Sequence, residues 1–439
     1  MGKNGSLFGV AVLLVAASSP AAEFALERKT IAAEQTATGP GGGPVGELSK
    51  RRPKEITKEP KAVSRDPLYG LVGLANTSRE HFRMDESKGT GKGYDRLLVD
   101  LNHNGDLSDD PVFKGLLRPQ PAPLPDQIVF GPIDLPPGKQ VGPWQPSVYA
   151  VAELRADEVL LFPTRNEPAG ILRIKPGWHL EATVEVDGVK EKIGIVDADR
   201  DLQLTGDAPG GGAGQYVHIN GSDAVLRDRD GSGRFEFDLC ESEIDDPSEL
   251  VGIGRNLYEL TLAKDLRSIR LDRYQGPVGQ MIVVGRPDRI RALTLLRRGS
   301  GNQEERFKPA WIDGTATVPA GTYELQSCVV AATGRGPEAA MSWAWKYEDR
   351  EKIEIEAGKT ATLRCGPPLE LRVTAKKAVG GGAGGTPQVD INVAVVGAAG
   401  EMYVRHVKGS DLTTRADPPQ FRVFDEAGKE VASGRFEYG

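Results

Sequence analysis

Three stretches of this chain place oxygen-bearing side chains at alternate positions after an aspartate, and they hold the residues whose types and spacing could do chemistry. In the first, Asp100, Asn102 and Asn104 lead into Gly105, and Asp106, Ser108 and Asp110 follow. Alternate residues of an extended backbone point the same way, and a glycine lets the chain double back so that later oxygens reach the same place. Carboxylate, amide and hydroxyl oxygens converging on one point are the donor set of a hard cation. The pattern recurs with Asp197, Asp199, Asp201 and Asp207, and again with Asp228, Asp230, Ser232, Glu236 and Asp238.

Aligned on their first aspartate, the three stretches share an apolar residue at +7 (Leu107, Leu204, Phe235) and an aspartate at +10 (Asp110, Asp207, Asp238). Each also follows an apolar run, at 97–99, 193–196 and 224–226. Asp, Asn, Gly and Ser are ordinary turn formers, which explains one such run easily. It explains the common +7 and +10 positions less well. The stretches resemble EF-hand-type loops, and more closely the calcium-binding DxDxDG loops of secreted bacterial proteins. That resemblance implies calcium as the ligand, held by flexible oxygen-only loops rather than in the tight octahedron that magnesium prefers. Two departures stand out: the last acid comes one residue early, and the preceding run reads as strand rather than helix. Without paired helices, a calmodulin-type switch is not implied. Gly105 and Gly233 occupy the +5 turn, but the second stretch has Leu202 there, so its turn is expected to take another form or to bind weakly. His103, inside the first stretch, is expected to point outward.

Nothing else in the sequence assembles a reaction centre. His81, His103, His179, His218 and His406 are scattered, with no HExxH pair, and no GxSxG, P-loop or Rossmann fingerprint is present. The acid pairs Glu241/Glu243 and Asp245/Asp246 suit a solvated turn better than a glycosidase site, since no stacking aromatics accompany them. Trp311, Trp343 and Trp345 suit core packing better than a sugar site. The chain is therefore read as non-enzymatic, with an extracellular hydrolase or carbohydrate-binding protein as the alternative. Cys328 and Cys365 fall on neighbouring expected strands, where a disulfide is open to them, leaving Cys240 free.

The elements that must position these loops read as all-β. At 439 residues, with 54 glycines, 31 prolines and few aromatics, the chain suits two or three turn-rich β-sandwich modules. A net charge of −7 argues against nucleic acid as partner. Calcium and polymer of a cell surface or matrix are the partners considered. Lys3, the apolar run 7–17 and the small residues at Ser19–Ala22 read as an export signal over 1–21, too short to span a bilayer, so a secreted, periplasmic or cell-surface location is expected with no transmembrane segment after cleavage. Residues 22–65, with a Gly/Pro run and the basic cluster 50–54, read as a disordered linker. Short alternating runs over 66–275 read as strands carrying the three loops. Residues 289–297 fit helix or buried strand, and 247–251 fit a short helical turn. From 276 to 365, Val318-Pro-Ala-Gly-Thr-Tyr-Glu-Leu325 and a hairpin over 351–365 resemble carboxypeptidase-regulatory-like β-sandwich modules, which implies a structural spacer without an active site. Residues 366–439 read as an immunoglobulin-like module.

Overall fold

The computed structural model describes residues 21–36, 45–75, 79–90, 93–118, 127–135, 141–154, 169–198, 202, 204, 216–217, 219, 223–228, 232–235, 244–245, 250–284, 290–298, 304–311, 314–331, 341–345, 352–377, 389–398, 400–407, 420–424 and 426–435. Among them the only helix is the single turn Ala33–Thr36, so the all-β expectation is met. No helix among the described residues is long and apolar enough to cross a membrane.

Eight strands make one antiparallel sheet, in the spatial order Val45–Leu48, Gly170–Pro176, Ser147–Leu154, Gln127–Asp134, Val112–Arg118, Arg96–Val99, Glu80–Asp85 and Leu68–Val72. The two ends of that order meet. Ser49 N donates to Tyr69 O at 2.8 Å and Tyr69 N to Ser49 O at 2.7 Å, which curls the sheet into a barrel. Its interior is filled by alternate residues of each strand, including Leu48, Phe82, Leu97, Phe130 and Ile174, all fully buried. Residues 22–65, read from sequence as a disordered linker, therefore contain the strand that closes this barrel. They also supply Ala22–Ala25 and Glu27–Thr30, each paired into a further sheet.

Those further sheets face one another as a sandwich. One holds Glu27–Thr30, Trp178–Val186, Val189–Val196, Ala224–Arg227 and Ile244–Asp245, and the other is built on Asn256–Ala263 and Ser268–Arg273. Leu180, Val184, Ile193, Ile195 and Val225 from the first meet Val251, Tyr258, Leu260, Leu262 and Ile269 from the second. The charge of the 52–64 segment is absorbed locally. Arg83, with no exposed surface, donates to Glu59 (2.9 Å), to Pro60 O (2.6 Å) and to Asp85 (3.0 Å), while Asp85 also accepts the backbone N–H of Ser64 at 2.7 Å. A buried guanidinium is tolerable only with such pairing. Because the segment has few apolar residues, its composition gives no sign of this anchor.

Among the described residues no strand pairing crosses residue 276, although Leu250 and Leu257 are buried in the apolar core of the part beyond it. Beyond it, Val278–Val284 pairs with Thr315–Pro319 and, in parallel, with Thr360–Arg364. A larger sheet contains Ile290–Arg298, Gly321–Ala331, Met341–Trp345, Met402–Val407, Val389–Val396 and Glu370–Lys377. Three readings change. The ambiguous run is strand from Ile290, within Ile290–Arg298. Lys352–Ile355 and Thr360–Arg364 are not a hairpin, because the former joins Gly321–Ala331 and the latter joins Val278–Val284. The larger sheet runs across the expected boundary at 365/366, placing Tyr403 in the same core as Leu293 and Val318. Within the expected immunoglobulin-like stretch, Gln420–Phe424 and Glu430–Arg435 pair as a hairpin. In the first part, Leu250–Ile253 is strand rather than a helical turn.

Candidate metal centre

Each acidic loop begins where a strand of the barrel or sandwich ends. Arg96–Val99 delivers Asp100, Val189–Val196 delivers Asp197 and Ala224–Arg227 delivers Asp228. These three aspartates are at most 7% exposed. In each loop the +5 backbone N–H donates to Oδ2 of the leading aspartate: Gly105 to Asp100 at 3.0 Å, Leu202 to Asp197 at 3.1 Å and Gly233 to Asp228 at 2.9 Å. The +5 residue is left-handed throughout, with φ of 74° at Gly105, 65° at Leu202 and 78° at Gly233. The +7 residues Leu107, Leu204 and Phe235 are 0%, 1% and 4% exposed. Full burial of one such side chain contributes roughly 2 kcal/mol, enough to pin a loop to its core.

At its +5 residue the second loop thus keeps the φ and the hydrogen bond of the other two, so of the two outcomes expected for Leu202, another turn form or weak binding, the first does not hold at this residue. Left-handed backbone costs a non-glycine residue roughly 1–2 kcal/mol. Leu202 offsets this by packing, half-buried, against both the sandwich core and the barrel core.

The first loop is described in full. Asp100 Oδ1 accepts the N–H of Asn104 at 3.1 Å, Asn102 Oδ1 the same N–H at 3.0 Å, and Asn104 Oδ1 that of Asp106 at 2.6 Å. Asp106 accepts the N–H and the hydroxyl of Ser108 as well as Lys58 Nζ at 2.7 Å. Asp110 returns to the start of the loop, its Oδ1 accepting the N–H of Leu101 at 3.1 Å. Its Oδ2 is buried and has no hydrogen-bond partner among the described residues. Burial, then the nearby charges of Asp100, Asp109 and Asp106, push the Asp110 carboxyl from its usual 3.8 up to about 6. Hydrogen bonds from Lys58 and then Ser108 hold Asp106 down at about 2. His103 is half-exposed, its ring 3.8 Å from Glu80 rather than turned into the loop.

From outside, residues 55–58 grip this loop. Gly105 O accepts the N–H of Thr57 at 2.8 Å and that of Lys58 at 3.1 Å, and Leu107 N donates to Lys58 O at 2.9 Å. A Cβ at Gly105 would run into the Glu55 carbonyl oxygen, so glycine is required there for space as well as for φ.

In the third loop, Ser232 Oγ lies 3.5 Å from Asp228 Oδ1, and Lys192 Nζ donates to Gly233 O at 3.0 Å. Asp199, Asp201, Asp207, Asp230, Glu236 and Asp238 lie outside the described residues, as do Cys240, His218 and the acid pair Glu241/Glu243. Two carboxylates were missed by the sequence reading. Asp109 accepts the amide of Asn104 at 2.8 Å, and Asp223, across the ladder from the second loop and buried, accepts the N–H of Ala198 at 3.2 Å. Asp109 breaks the alternate spacing, and Asp223 is brought in by strand pairing that the sequence does not reveal.

Among the described residues no three His, Cys, Asp or Glu side chains gather as a metal-ligand group. The first loop's donor set is wider than those types, because it includes Asn, Ser and backbone carbonyl oxygens. Its carboxylates retain capacity: each offers about four lone-pair sites, and hydrogen bonds occupy two of those on Asp100. Compared with protein-family models, with curated proteins and with solved structures, the chain matches none.

Proposed function

We propose that the chain is a secreted, non-enzymatic structural protein whose barrel and sandwich are clasped by calcium in the acidic loops. The observation that carries the reading is the shared architecture of the three loops: a buried leading aspartate, a left-handed +5 residue donating to it, and a buried +7 plug. Turns chosen only to reverse the chain have no reason to share all three features. The buried Asp110 Oδ2, with no partner among the described residues, supports a cation in the first loop, since a desolvated carboxylate oxygen needs compensation. Asp100, Asn102, Asn104, Ser108, Asp110 and the carbonyl of Asp106 would hold the ion. An acidic surface bridged by calcium could also attach to acidic polymer of a cell surface or matrix.

Extracellular calcium modules bind with Kd of about 10⁻⁴–10⁻³ M, and at about 10 mM calcium this adds roughly 1.4–2.7 kcal/mol per loop by linkage. The test is thermal unfolding of the full chain in calcium and in EDTA. The reading predicts a Tm several degrees higher in calcium, with magnesium far less effective. Superimposable melts would refute it.

A further inference from the structure

We propose that Cys328 and Cys365 form a disulfide that staples the three-stranded sheet and the larger sheet beyond residue 276 together. Cys328 lies within Gly321–Ala331 of the larger sheet, opposite Leu293 on one side and Ala344 on the other. Cys365 immediately follows Thr360–Arg364, a strand of the three-stranded sheet. Both are free thiols without exposed surface, set in one apolar core.

The turn that carries Cys365 and the strand that carries Cys328 are joined by neighbours that do not depend on a bond between the two cysteines. Glu401, 1% exposed, accepts the N–H of Gly366 at 2.5 Å and the hydroxyl of Tyr403 at 3.2 Å. The Tyr403 oxygen lies 3.9 Å from Cys328 Sγ. Ala398 N donates to Gly366 O at 3.1 Å, and Gly366 takes φ of 78°. The turn carrying Cys365 is thereby held against the strand carrying Cys328. Two buried cysteines acting only as small apolar residues would not need this polar bracket.

The cross-link forms by thiol–disulfide exchange with a small-molecule disulfide while the core is still open. The Cys328 thiolate attacks one sulfur of the reagent, forming a mixed disulfide and releasing one thiolate. The Cys365 sulfur then attacks Cys328 Sγ and releases the second. The two cysteine protons end on the two released thiolates, so two protein thiols are oxidised as one disulfide reagent is reduced to two thiols.

The full chain should be refolded in a mixture of oxidised and reduced glutathione, denatured, alkylated with iodoacetamide and mapped by peptide mass. The expected result is alkylation of Cys240 alone, with the peptides of Cys328 and Cys365 joined and two hydrogens lighter. Three alkylated cysteines, or a bridge that includes Cys240, would overturn the proposal. In Cys240→Ser the same treatment should leave no alkylated thiol, and the oxidised form should melt on the order of 10 °C above the reduced form. Equal melting points would reject the stapling role. The assay needs neither export nor calcium, so its outcome is separate from that of the calcium reading.

Discussion

The first and second acidic loops follow the same backbone turn by different means. At Gly105 the turn is unstrained, and the absent side chain lets residues 55–58 close over the loop. At Leu202 the same left-handed turn is strained, and the side chain is wedged between the barrel and sandwich cores. One loop is braced from outside by a strap, the other from within by a plug. A loop of this kind therefore does not need glycine at +5 if packing offsets a strain of roughly 1–2 kcal/mol.

The largest blow to one side of this comparison is Arg83→Met. It leaves Glu59 and Asp85 without their buried partner, so a loss of about 3–5 kcal/mol is expected in urea unfolding. The strap over the first loop should loosen, read as faster amide exchange at Gly105 and Leu107, while Leu202 and Leu204 stay protected. Next comes Gly105→Ala, expected to cost about 3 kcal/mol because backbone strain and the clash with Glu55 add. Gly233→Ala is its control. The same φ with open space at Cβ should limit that loss to about 1–2 kcal/mol.

At the second loop the order of substitutions inverts the usual one. Leu202→Ala keeps the strain and loses the wedge, for an expected cost of about 2 kcal/mol. Leu202→Gly loses the wedge but also the strain, so a net change under about 1 kcal/mol is expected. If glycine proves the worse replacement, strain is not what Leu202 is balancing.

The pH dependence tests the proposed calcium site of the first loop. The Asp110 carboxyl is raised in the folded state to about 6 from an ordinary 3.8. Its contribution to stability without metal is accordingly present below about pH 4 and is lost as pH rises through about 6. On the proposed reading calcium would take the place of the proton, so urea midpoints compared at pH 4 and pH 7 should show that loss in EDTA and not in calcium. Asp110→Asn should flatten the EDTA profile and abolish the first loop's calcium response. The smallest effect is at Lys58→Ala. Its ion pair with Asp106 is exposed and screened by solvent, so stability should barely change, and removing the positive charge should tighten calcium binding about twofold to threefold at low salt.

Much of this was legible in the chain. Alternating runs such as 147–153, 180–186 and 257–262 marked strands that the structure contains, because one buried face imposes a period of two. Partnership was legible only in part. Lys352–Ile355 and Thr360–Arg364 sit beside a turn residue, Gly358, as a hairpin would, yet each pairs elsewhere, since pairing is decided by the core and not by proximity in the chain. The strap was missed because its apolar content is low. Ile56 is buried with Leu98 and Leu107, but the segment's attachment runs chiefly through Glu59 and the backbone to Arg83 and Asp85, polar contacts that composition cannot reveal. At the loops, the leading aspartates and the +7 plugs were readable from spacing, whereas Asp223 arrives by strand pairing and Leu202 keeps a turn that its residue type argues against.

Equilibrium dialysis of the full chain against millimolar calcium, followed by elemental analysis, tests the central claim most directly. The account predicts two to three calcium ions per chain, one fewer in Asp100→Ala and one fewer in Asp228→Ala. Less than one ion per chain, or counts unchanged by both substitutions, would contradict it.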